Sequence, residues 1–127
     1  MSVPTAGAAP LTLERFEAGD LSPECFSHRD HVRMGYELAR RAPFTEAVDR
    51  FARALRAMTV RAGHPEKYHD TITVAFMSLI AERLEGHTDF DAFAEANPEL
   101  FEKDVLLRRY TAERLMSAQA RRSFLLP

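Results

Sequence analysis

Three histidines carry the acid–base chemistry open to this chain. His28 and His31 sit three residues apart in FSHRDHVRMGYELARR (26–41), and His69 sits in KYHDTIT (67–73). Histidine is the side chain whose ordinary pKa puts a proton in play near neutral pH, and its uncharged ring also binds transition metals. Residues three apart on a helix share a face. The apolar stripe Val32, Gly35, Leu38, Ala39 and Ala42, extended backwards by three and four residues, lands on His28 and His31. Two imidazoles therefore fall where a helix should face its core.

His69 has a matching place, near the start of the most apolar stretch of the chain. Both segments bring imidazole to a helix first turn, where the positive end of the helix dipole and burial each disfavour the charged ring. Neutral rings at pH 7 can accept a proton. His31 and His69 are accordingly the expected acid and base, with His28 beside them as a third catalytic candidate. Tyr68, Thr73 and Phe76 are expected to bind substrate, and Arg109 (with Arg114 as the other choice) to enter the pocket and hold an anionic group. The leading expectation is no cofactor. The alternative is a divalent transition metal (zinc, iron or copper) on His28, His31 and His69, with Glu82 or Asp70 as a fourth ligand.

The spacing holds no HExxH, no cysteine set, no dinucleotide or phosphate loop and no nucleophile elbow. A cofactor-free proton transfer of elimination, cyclisation or isomerisation type suits this inventory better than redox chemistry. The other reading is a non-catalytic module that binds a small ligand or a partner chain.

The elements that must position these residues read as helices. Thr12 caps a short helix carrying Leu13 and Phe16 that Gly19 ends, and Ser22-Pro23 opens a single turn. Ser27 caps a helix over 28–41, with Asp30 at the third position, and Pro43 stops it. Thr45 opens the next helix, with Val48, Phe51, Leu55, Met58 and Ala62 in one stripe, Arg50, Arg53 and Arg56 opposite, and Gly63 as its C′ residue. Over about 66–85 the apolar residues point in nearly every direction, the mark of a central buried helix. Asp89 caps a short helix with Phe90 and Phe93, Asn97-Pro98 breaks it, and two short helices follow near 105–107 and 112–122. The closing FLLP is apolar enough to pack back on the domain or on a second copy, a possible homodimer. Met34, Met58 and Met77 read as core packing.

The expected fold is all-α: one domain over 11–127, four to six helices around the central one, after a frayed or disordered segment at 1–10. The 127 residues are 46% hydrophobic and 28% charged, with 17 basic and 19 acidic side chains interleaved and a net charge of −2. That balance gives no nucleic-acid footprint. No apolar run is long enough to span a bilayer, and MSVPTAGAAP lacks the basic and apolar regions of a secretory signal. The single cysteine, Cys25, has no internal partner and suits a reducing cytoplasm.

FSHRDHVRMGYELARR, KYHDTITVAFMSLIAERL, ANPEL and SAQARRSFLLP together resemble an uncharacterised family of small all-helical bacterial proteins. The shared pattern is Phe-x-His-x-x-His, then Tyr-His-x-Thr-x-Thr, then Ala-Arg-x-x-Phe. Here it falls on Phe26, His28 and His31; on Tyr68, His69, Thr71 and Thr73; and on Ala120, Arg121 and Phe124. The resemblance covers most of the chain after about residue 11 and implies no particular activity. This chain departs from it in having Ala75 and Phe76 where a Trp is expected nearby, and in lacking Trp throughout.

Overall fold

Among the described residues, six of the seven α-helices begin with a side chain that takes the backbone N–H three residues on: Thr12, Ser27, His69, Asp89, Thr111 and Ser117. Each satisfies a donor that a helix start leaves without a partner. The computed structural model describes residues 10–127, so the expected disorder at 1–10 lies, apart from Pro10, outside the described residues. The α-helices are α1 (Leu13–Glu17), α2 (His28–Arg41), α3 (Phe44–Arg61), α4 (Asp70–Glu82), α5 (Phe90–Ala96), α6 (Ala112–Leu115) and α7 (Ala118–Arg122). Four short 3-10 turns join them, at Pro23–Cys25, Pro65–Lys67, Pro98–Phe101 and Val105–Arg108, and no strand occurs among the described residues. The all-α class holds, in more and shorter pieces than four to six helices.

Several elements differ from expectation: the central helix ends at Glu82 rather than near 85, 105–108 is a 3-10 turn, and the helix expected near 112–122 is divided into α6 and α7. α3 starts at Phe44 with Pro43 in the cap position, one residue before Thr45, as suits a residue that cannot continue α2 but has the fixed φ of a helix entry. α4 starts at Asp70, because Pro65 turns the chain into a separate 3-10 turn and His69 is the cap outside the helix. The start of α2 follows the expectation and goes beyond it: Ser27 takes the N–H of Asp30, and the Asp30 carboxylate takes the N–H of Ser27, closing a full capping box.

α2, α3 and α4 pack against one another and enclose the core. Gly35 permits the α2–α4 approach. A Cβ built there would lie 2.7 Å from Ile80 Cδ1 and 3.1 Å from Met77 Sδ. α2 is buried on more than its expected stripe: Met34 and Tyr36 are as buried as Val32 and Leu38, because α1 covers one flank and α5 another. Met34, Met58 and Met77 are all core. No helix among the described residues is long and apolar enough to cross a membrane.

The C-terminal segment is tied down on α4. Thr71 Oγ1 donates to the Ser123 carbonyl and accepts from Leu125 N. Tyr110 donates its hydroxyl to the Leu125 carbonyl, and Arg114 Nε to the Leu126 carbonyl. The closing residues thus pack back by their backbone, while Phe124 and Leu126 keep 40% and 68% of their surface exposed.

Candidate functional site

A cleft of about 270 Å³ opens between α2, α3 and the first turns of α4. His28, His31 and His69 line it together with Tyr68, Thr73 and Phe76. Six of the seven residues picked out for chemistry thus meet around one space. Phe51, Leu55 and Ile72 form its apolar wall, and Thr59 and Lys67 complete the lining.

The three rings stand in different hydrogen-bond states. A carbonyl can only accept and a backbone N–H can only donate, so the partners fix the tautomers. His69 is 7% exposed. Its Nδ1 accepts from Ile72 N at 3.1 Å, capping α4, and its Nε2–H donates to the Leu115 carbonyl at 2.8 Å. Both nitrogens are committed to the scaffold. Protonating Nδ1 would set two donors face to face and open the cap.

His31 is half-buried. Its Nδ1–H donates to the Ser27 carbonyl at 3.1 Å, one turn back. Nε2 forms no hydrogen bond with the protein. The ring packs edge-on to Phe26, with centroids 4.4 Å apart. Burial pushes its pKa below the ordinary histidine value; the Ser27 bond pulls the other way, and the neighbouring His28 adds to the lowering. The ring is held uncharged with one lone pair to offer.

His28 is the most exposed of the three. Its Nε2–H donates to the Leu100 carbonyl at 2.8 Å, which leaves Nδ1 without a protein partner. It packs edge-on to Phe76, with centroids 5.4 Å apart, and its ring centroid is 6.4 Å from that of His31.

Tyr68 donates its hydroxyl to Asp70 Oδ1 at 2.8 Å, and the Arg56 guanidinium lies over its ring and pairs with the same carboxylate. Burial, with the bond to Asp70 adding to it, pushes the phenol up to about 12. Thr73 donates its hydroxyl to the His69 carbonyl, so its oxygen faces the cleft only as an acceptor.

Two arginine expectations are corrected. Arg109 is exposed after the 105–108 turn and does not line the cleft. Arg114 is used on the chain terminus. The arginine that matters here is Arg121, whose NH1 donates to the Glu66 carbonyl at 2.9 Å and so braces the turn that delivers Lys67, Tyr68 and His69.

The metal set does not assemble. Among the described residues no three His, Cys, Asp or Glu side chains are placed to hold an ion together. Asp70 is taken by Tyr68 and Arg56. Glu82 stands at the far end of α4, about 20 Å away along the helix axis.

No family model, no curated protein and no solved structure matches the chain.

The lining of the cleft includes residues the sequence did not single out. Thr59 follows Phe51 and Leu55 at spacings of four along α3, so the signal was present in the sequence. Nothing local marks Lys67. It comes into play because the 65–67 turn folds across the end of α3.

Proposed function

We propose that this cleft binds a small, mainly apolar molecule and that His31 moves a proton on it. One observation carries the proposal: Nδ1–H of His31 is pinned to the Ser27 carbonyl while Nε2, on a ring whose pKa is lowered, is left without a protein partner. That is the state a general base needs at neutral pH. His28, whose Nδ1 is also open, would orient a polar group of the substrate, with the Tyr68 and Thr73 oxygens marking the other wall. His69 serves as a positioning residue, since its nitrogens are spent on the cap and on Leu115. Base-initiated elimination, cyclisation and isomerisation begin with such a proton abstraction. The free, exposed Cys25 suits a reducing compartment.

The second reading, a binding module without turnover, is favoured by the same spent nitrogens of His69. A two-residue acid–base pair then has only His28 to partner His31.

A panel of carbon acids in deuterated buffer, followed by proton NMR, separates the two. The expected result is protein-dependent deuterium uptake into at least one compound, lost in His31→Gln and kept in His87→Gln, which lies outside the cleft. Compounds that bind without any His31-dependent exchange would leave the binding module as the function.

A further inference from the structure

A second hollow, of about 490 Å³, adjoins the cleft, and the two share the walls His31, Leu55, Thr59 and Lys67. Beyond that seam it is lined by Phe26, Met58 and Ala62, with Glu24 and His64 among the polar residues of its wall. The first lobe alone falls just under the roughly 300 Å³ at which ordinary small-molecule pockets begin. Joined at a shared wall, the two fall well inside that range. His31, with its open Nε2, stands at the join.

Charge is placed unevenly along this groove. Lys67 is the one Lys or Arg lining either lobe among the described residues, and it forms no ion pair. Glu66 feels its field but pairs with His64 at 3.2 Å. Among the described residues no carboxylate lines the first lobe, whereas Glu24 lies on the wall of the second. An ammonium is a compact point charge that matches a single negative charge. A dianion such as a phosphate monoester would leave one charge uncompensated between apolar walls. A negative group at the far end of the second lobe would meet Glu24.

From this we infer that the groove takes an elongated, apolar monocarboxylate lying across both lobes, its charged end in the first lobe within reach of Lys67 and its chain running past the seam into the second. The inference rests on the cleft being a small-molecule site and adds the class of molecule that fills it.

The test titrates the full chain at neutral pH with decanoate, decanol, decylammonium and the shorter hexanoate, by calorimetry, in wild type, Lys67→Met and Ala62→Trp. Lys67 and Ala62 are both exposed, and circular dichroism verifies that each variant is folded. Decanoate is expected to bind about tenfold tighter than decanol, the size of one charge-assisted contact. Lys67→Met should erase that preference. Ala62→Trp, which fills the second lobe, should weaken decanoate and spare hexanoate. Equal binding of acid and alcohol, a preference that survives Lys67→Met, a preference for decylammonium, or no binding at all would each overturn the inference. His31-dependent deuterium exchange without a Lys67-dependent preference defeats only this inference. The preference without the exchange defeats only the proton-transfer reading.

Discussion

His69 Nε2 donates to the carbonyl oxygen of Leu115, 46 residues further along the chain, at 2.8 Å. The same ring caps α4 through Nδ1. One side chain thus starts the central helix and fastens the C-terminal segment to it, in the wall of the cleft proposed to take substrate.

Removing that ring should destabilise the fold more than it alters chemistry. His69→Ala loses a cap and leaves the Leu115 carbonyl without its donor, at a cost of about 2 to 4 kcal/mol. His69→Asn keeps a good capping oxygen and should recover about 1 kcal/mol of that loss. Urea unfolding measures both. Equal stability of His69→Ala and wild type would show that the ring is not a structural tie.

His31 gives the fold a pH dependence whose sign is set by its lowered pKa. Its folded pKa lies below the unfolded value near 6.5, so between the two the unfolded chain binds more protons. The contribution is complete above about pH 6.5 and is lost as pH falls through the depressed value. NMR titration of the ring should show a midpoint below the ordinary histidine value of about 6.5, with the proton on Nδ1 in the neutral form. In His31→Gln the acid-side slope of stability against pH should flatten. A midpoint at or above about 6.5 contradicts the neutral-base assignment.

Gly35 should tolerate no side chain. Alanine gains up to about 1 kcal/mol of helix propensity, but its Cβ would sit 2.7 Å from Ile80 Cδ1. Overpacking of that kind costs about 1 to 3 kcal/mol, so Gly35→Ala should lower the Tm. Ile80→Val removes the clashing methyl. The double variant should therefore be more stable than the sum of the two single changes predicts. Simple additivity would place the strain elsewhere.

The three tyrosines, Tyr36, Tyr68 and Tyr110, all have pKa values raised by burial. Native protein should show no tyrosinate absorbance change centred at the ordinary value of about 10. The folded state keeps these protons longer than the unfolded chain does, so stability is held below pH 10 and falls as pH rises above it. Tyr68→Phe should remove the step near 12 and leave the Asp70 carboxylate to Arg56 alone. A normal phenol step of one tyrosine in native protein would contradict the burial of at least one ring.

The helix starts were written locally. Thr12, Ser27 and Asp89 each cap the helix expected of them, because a cap is a contact between residues three apart and needs no tertiary partner. Spacing of three also put His28 with His31, and Thr73 with Phe76, on shared helix faces, but Tyr68 and His69 lie outside any helix, and only packing brings all six around one cleft. The division of labour among the rings was not written locally. His31 accepts its fate from Ser27, four residues away, but His69 depends on Leu115 and His28 on Leu100, carbonyls brought near only by folding. Arg109 and Arg121 look alike in a string of arginines. Only the packing of α7 against α4 decides that Arg121 braces the 65–68 turn while Arg109 stays outside. Lys67 became a groove residue the same way. Periodicity fixes which face a side chain occupies, but hydrogen-bond partners far along the chain fix what that side chain has left to offer, and those distances exist only in three dimensions.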